Sequence, residues 1–227
     1  MKILALDTAT EACSVALGVG DRVFERYLEL DRGHAECLLP MIDELLAEAG
    51  CELASLDAIA FGRGPGAFTG VRLAASVAQG LAFGAGIGVV PVSDLAAVAQ
   101  QAAELQPEAS RVLVVNDARM REVYWAEFRV DGLVALQGTE HVGAAASVPV
   151  LPEGGGHWAA AGRGLAAYPE LAERCREQGA SLHTRLLPRA REILKLARPA
   201  VAAGQALPAE LALPVYVRDR VAEAATS

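Results

Sequence analysis

Ile3-Leu4-Ala5-Leu6-Asp7-Thr8-Ala9-Thr10-Glu11 opens the chain with a short apolar run that ends on an acidic, hydroxyl-bearing turn. Outward from it, Ser14 to Val19 and Arg22 to Leu30 read as two more strands, the latter entered through Gly20-Asp21, giving a three-strand antiparallel meander. A helix is expected from His34 to Ala49, where Leu38, Leu39, Ile42, Leu45, Leu46 and Ala49 recur at helical spacing before Gly50. Pro40 is compatible with that helix only near its first turn. A buried strand (Ala58 to Phe61), a glycine-rich loop, a helix from Val71, a strand from Gly88 to Val92 and a helix capped by Ser93 complete the first half.

The opening pattern then returns. Val112 to Val115 is a buried β-branched run, Asn116-Asp117-Ala118-Arg119 a polar turn, Glu122 to Val130 a strand, and Asp131-Gly132 turns into Leu133 to Leu136. On this reading Asp7 and Asp117 stand at equivalent places in an internal duplication. Pro149 to Gly156 is a loop, Trp158 to Ala161 a strand, Leu165 onward a helix, Arg185 to Leu187 a strand and Arg189 to Ala203 a helix, with a frayed tail from Ala222 to Ser227. The expected fold class is α/β, two duplicated lobes with mixed sheets. That arrangement resembles the actin-like ATPase and sugar-kinase (ribonuclease H-like) fold. The lobes are expected at 1–104 and 105–227, the last segment being free to return to the first lobe.

Composition limits the function classes. The 227 residues are 53% hydrophobic and 21% charged, a folded and alanine-rich chain. The formal net charge of −8 is the wrong sign for a protein whose main task is gripping phosphate backbones. Cys13, Cys37, Cys51 and Cys175 form no C-x-x-C pair and read as reduced thiols, and the first residues lack signal-peptide character, so a cytoplasmic location is expected. Leu73 to Ser93 carries no charge, but Gly80, Gly84, Gly86, Gly88 and Pro91 divide it into a buried helix and strand rather than a membrane span.

Two loops could carry chemistry. A carboxylate and two hydroxyls at Asp7, Thr8 and Thr10 suit magnesium or a phosphate, Asp7 being the metal-side acid; the same side chains equally satisfy the turn's own backbone. Gly62-Arg63-Gly64-Pro65-Gly66-Ala67-Phe68-Thr69-Gly70 joins a strand to a helix, where backbone N–H groups of Gly64 and Gly66 could hold an anion, or the glycines could serve close packing. It lacks the Lys-Ser or Lys-Thr of a P-loop and the spacing of a dinucleotide fingerprint. His34, His141, His157 and His183 show no metal-binding spacing and no G-x-S-x-G is present, so no metal site and no catalytic residue is assigned. Arg185, Arg189, Arg191, Lys195 and Arg198 form the one basic stretch, read as a solvated helix face or, less readily, as a tRNA or partner contact.

The two aspartate turns, the string Gly64-Pro65-Gly66-Ala67-Phe68-Thr69-Gly70-Val71-Arg72, the segment Asp117-Ala118-Arg119-Met120-Arg121-Glu122-Val123-Tyr124 and the closing Pro214-Val215-Tyr216-Val217-Arg218 together resemble the bacterial TsaB (YeaZ) family. The resemblance implies a non-catalytic component of the machinery that forms N6-threonylcarbamoyladenosine at position 37 of tRNAs reading codons that begin with A. In that picture the chain binds and stabilises the paralogous transferase TsaD. The metal histidines of TsaD fall here on Asp94 and Val98, and a valine cannot ligate a metal. Implied partners are TsaD, the ATPase TsaE, a second copy when alone, and tRNA through the complex; ATP or ADP at the partner interface is the one cofactor candidate. The alternative is an active kinase or peptidase of the same fold. Family pairing runs through the first two helices. At 100° per residue, Leu73, Val77, Gly80, Leu81 and Gly84 are expected to lie on the sheet. Ala75, Ala78, Gln79 and Ala82 would then face a partner beside Leu39 and Leu46, and Ala78→Arg should break the contact.

Overall fold

The computed structural model describes residues 1–150 and 156–217. The expected C-terminal tail and part of the loop from Pro149 to Gly156 lie outside these residues. The first half runs β1 (Lys2–Asp7), β2 (Ala12–Val19), β3 (Arg22–Glu29), α1 (His34–Ala49), β4 (Ala58–Gly62), α2 (Phe68–Ala85), β5 (Gly88–Val92) and α3 (Asp94–Leu105). The second runs β6 (Arg111–Asp117), β7 (Glu122–Asp131), β8 (Leu133–Ala144), β9 (Trp158–Ala161), α4 (Gly164–Ala167), α5 (Pro169–Glu177), β10 (Ser181–His183) and α6 (Ala190–Ala202). The sheets are ordered β3-β2-β1-β4-β5 and β10-β9-β6-β7-β8, the same topology read from opposite ends. In each, three antiparallel strands are extended by two parallel ones.

Packing crosses the midpoint of the sequence. Leu95, Val98, Ala99 and Ala102 of α3 pack on Val112, Val114, Ala126 and Phe128 of the second sheet. Ile193, Leu194 and Ala197 of α6 cover Ile3, Ala5, Ala16 and Ala60 of the first. The Ser14 hydroxyl of β2 accepts from the Ala190 N–H at 2.8 Å, so a strand of one half caps a helix of the other. On the far face of the first sheet, α1 and α2 bury Leu4, Leu6, Ile59 and Phe61.

Several boundaries differ from the sequence reading. The second helix starts at Phe68 rather than Val71. Pro40 sits in the second turn of α1, where it is exposed and the carbonyl of Glu36, also exposed, loses its usual donor. The strand beginning at Leu133 continues to Ala144 because it pairs with nearly all of β7 around a bulge at Trp125/Glu127. Pro169 ends α4 and opens α5, splitting the helix expected from Leu165. The last strand is Ser181–His183, not Arg185 to Leu187, since these residues find parallel partners in Ala159, Ala160 and Ala161.

The duplication also shifts by one residue. Ile3, Ala5 and therefore Asp7 share the face covered by α6, while Val112, Val114 and therefore Asn116 share the face covered by α3. Asp117 falls with Leu113 and Val115 on the other face. The counterpart of Asp7 is Asn116, not Asp117.

Candidate functional site

A cleft of about 960 Å³ lies between the lobes, walled by the turn after β1, the N-terminus of α2 and the turn after β6. Thr8, Thr10 and Gly66 line it; Asp7 and Gly64 lie behind its wall. The β1 turn is largely self-satisfied. The Ala9 N–H donates to Asp7 Oδ1 at 3.1 Å, the Ala12 N–H to Thr10 Oγ1 at 3.2 Å, and the Thr8 hydroxyl to the Gly70 carbonyl at 2.7 Å. His34 is bonded through Nε2 to the Thr10 carbonyl at 3.0 Å.

The glycines of the loop answer to close packing. A Cβ at Gly66 would stand 2.5 Å from the Ala9 carbonyl oxygen, and one at Gly70 2.0 Å from that of Thr8. Gly64, at φ 103°, occupies a conformation that side chains avoid, and its N–H donates to Asp94 Oδ2. A Cβ at Gly62 would meet both Asp7 Oδ1 (2.3 Å) and Asp94 Oδ1 (2.4 Å).

That crowding exposes what the sequence reading missed: Asp7 and Asp94 are fully buried and in contact. Burial pushes the Asp7 carboxyl up to about 6, countered by hydrogen bonds from Asp94, Ala9 and Thr8. Burial and the Asp7 charge hold Asp94 well above the carboxylate range, so of the two acids Asp94 holds its proton more tightly and shares it with Asp7. Asp7 is therefore spent on Asp94 and on its own turn. The signal was available, since Asp94 follows the Ser93 cap in an apolar segment where a lone carboxylate needs a partner.

Among the described residues no three His, Cys, Asp or Glu side chains converge. The basic stretch is mostly neutralised within the chain. Arg189 forks onto Glu192 (2.9 and 2.6 Å), Arg191 meets Glu25 (3.4 Å), Lys195 meets Glu104 (2.7 Å), and Arg198 donates to the Gly20 carbonyl. Arg185 alone of these faces the cleft.

The face of α2 is reversed from expectation. Val71, Ala74, Ala75, Ala78 and Ala82 are the buried stripe, because bulky Leu4, Leu6, Ile59 and Phe61 on the sheet already fill the space and leave room only for small side chains above them. Ala75, Ala78 and Ala82 therefore cannot form a partner surface, and Ala78→Arg would attack the core. Gln79 is half-buried and bonds the Ala209 carbonyl. The outward face carries Ser76, Gly80, Phe83 (80% exposed) and Gly84, bordered by half-buried Leu73, Val77 and Leu81. On neighbouring α1, Leu39 is exposed and Leu46 half-buried.

Comparison with known proteins identifies the fold and family. A family model described as TsaD, tRNA N6-adenosine threonylcarbamoyltransferase, matches residues 28–226. The tRNA threonylcarbamoyladenosine biosynthesis protein TsaB of Escherichia coli K12 is 41% identical over 98% of this chain and 96% of its own. Its namesake in Haemophilus influenzae is 54% identical over 56% of this chain and 53% of its own. The solved structure of YeaZ from Pseudomonas aeruginosa superposes with a TM-score of 0.87 at 47% identity, covering 95% of this chain and 99% of that one. The (R)-2-hydroxyglutaryl-CoA dehydratase component A of Acidaminococcus fermentans (TM-score 0.51, 11% identity) shares the fold alone. With a full-length relative at this identity and two sheets of one duplicated topology, the chain belongs to the TsaB (YeaZ) family of tRNA threonylcarbamoyladenosine biosynthesis proteins.

Proposed function

We propose that this chain is a non-catalytic component of the threonylcarbamoyladenosine machinery, acting in the cytoplasm, and that it works by docking the transferase TsaD through α1 and the outward face of α2. The observation that carries this reading is the surface of α2. Gly80 and Gly84 stand one helical turn apart on the exposed face, and among the described residues no atom beyond their chain neighbours and the helix's own backbone lies within 4 Å of a Cβ placed on either. Each glycine costs an isolated helix about 1 kcal/mol relative to alanine. Ser76 extends the row, Phe83 projects beside it, and no charge occurs from Leu73 to Ser93. A surface so built suits close approach by another helix, with Leu39 and Leu46 of α1 alongside. The self-contained Asp7–Asp94 pair supports the absence of catalysis, because the acid at the end of β1 is not presented to the cleft. On this reading the isolated chain pairs with a second copy through the same face, TsaE joins the complex of this chain with TsaD, tRNA is met through that complex, and ATP or ADP belongs at its interface.

Gly80→Glu tests the assignment, since it removes a helix-weakening glycine while placing a charge on the proposed contact. The variant should melt no lower than wild type, run as a monomer in size-exclusion chromatography with light scattering, and fail to retain TsaD. A folded variant that still dimerises and still holds TsaD defeats the docking surface. Turnover of a phosphoryl or peptide substrate by the isolated chain would instead establish the kinase or peptidase alternative.

A further inference from the structure

At the mouth of the interlobe cleft one carboxylate stands between two arginines. Glu11, from the turn after β1, places Oε1 3.0 Å from Arg119 Nη2 and Oε2 4.0 Å from Arg163 Nη1. Both arginines belong to the second lobe, Arg119 in the turn after β6 and Arg163 at the start of α4. Arg163 also contacts Glu29, and Arg119 approaches Asp117 Oδ2 at 3.5 Å. Arg32 and Arg185 line the same cleft, and among the described residues neither has a carboxylate partner. Asp31 and Glu36 are the remaining acids of its wall. Four guanidinium groups thus stand around a space of ligand size with the carboxylates of Glu11, Asp31, Glu36 and Asp117, and the group that spans Arg119 and Arg163 is the protein's own Glu11.

We propose that the Glu11 carboxylate is the built-in occupant of an oxyanion site, and that a small molecule bearing a phosphate or carboxylate group displaces it to bind between Arg119 and Arg163. Three features make displacement feasible. The Arg119 side chain is 76% exposed and that of Glu11 36%, so solvent weakens their attraction and the contact is easily exchanged. The Arg163 contact is at the outer limit for an ion pair. A guanidinium offers two parallel N–H donors to an oxyanion, and Glu11 makes only single-point contact with each arginine. Glu11, Arg119 and Arg163 lie on neither α1 nor α2, although Leu73 at the border of the docking face also lines the cleft.

An internal competitor gives the test a sign that a generic basic surface lacks. Isotope-labelled protein is titrated with inorganic phosphate and, separately, with acetate, ionic strength being held constant with sodium chloride, while the Arg119 and Ala118 amides and the arginine Nε–H signals are followed. Glu11→Gln should bind about tenfold more tightly than wild type, because the competing charge is gone and the shape is kept. Adding Arg119→Gln to that variant should abolish the gain. Response to phosphate alone assigns the site to phosphate esters, to acetate alone to carboxylates, and to both to either class. Equal affinity of wild type and Glu11→Gln, shifts confined to residues away from the mouth, or no response to either anion overturns the proposal. Unchanged melting temperatures confirm that each variant is folded.

Discussion

At the scale of single residues, the buried Asp7–Asp94 pair ties stability to pH. An acid whose folded value is raised binds its proton more tightly in the native state, so its favourable contribution is complete at low pH and is lost as pH rises. For Asp7 that loss spans the window from its unfolded value near 3.8 to its folded value of about 6, and Asp94 extends it to higher pH. Asp94→Asn keeps the geometry, since an amide donates to Asp7 and accepts from the Gly64 N–H, but needs no proton. The variant should gain about 1–3 kcal/mol over wild type at pH 8, with the difference vanishing near pH 4. Urea unfolding across that range checks it; parallel curves at every pH would mean that the two carboxyls do not share a proton. A single sequence names both aspartates, but their contact depends on β1 and α3 converging beneath Gly62, which no local pattern encodes.

At the scale of elements, local chemistry was legible and orientation was not. The meander, the Ser93 cap with its bond to the Ala96 N–H, and the strands Gly88–Val92 and Trp158–Ala161 all follow from runs and terminators in the sequence. The facing of α2 does not, because both of its faces are apolar and only the volume of the sheet beneath decides which stripe is buried. The hairpin between β6 and β7 is a second case. Its Glu122 N–H to Arg119 carbonyl bond (2.9 Å) closes a turn over Met120 and Arg121, both left-handed at φ 52° and 63°, with Arg119 left-handed as well at 60°. Two central residues of this sign make a turn of the kind that favours Asn-Gly, and nothing in Met-Arg announces it. Met120→Asn combined with Arg121→Gly should therefore stabilise the protein by about 1 kcal/mol, read as a rise in the urea midpoint at constant slope. A lower midpoint would show that these side chains contribute more to the fold than the left-handed backbone costs.

At the scale of the whole molecule, the exchange of helices between lobes governs cooperativity. The first sheet without α6 would expose Ile3, Ala5, Ala16, Ala60, Val90 and Val92, and the second without α3 would expose Val112, Val114, Ala126 and Phe128. Each half therefore supplies the cover for the other's core, in addition to the Ser14 cap on α6 and the Arg63–Glu140 pair (3.0 Å) between the glycine loop and β8. Uncovering an apolar sheet face of this size removes a large part of the burial that a domain of about 100 residues needs to fold. Calorimetry should accordingly show one transition with equal calorimetric and van't Hoff enthalpies, despite the duplicated architecture. Cutting the chain in the short connection between α3 and β6 sharpens the test, because each fragment keeps a whole sheet but carries its terminal helix on the wrong one. Fragments 1–106 and 107–227 should each lack a cooperative melt and bind a dye for exposed apolar surface, and should regain one joint transition when mixed. A fragment that melts cooperatively alone would show that its sheet holds together without the exchanged helix.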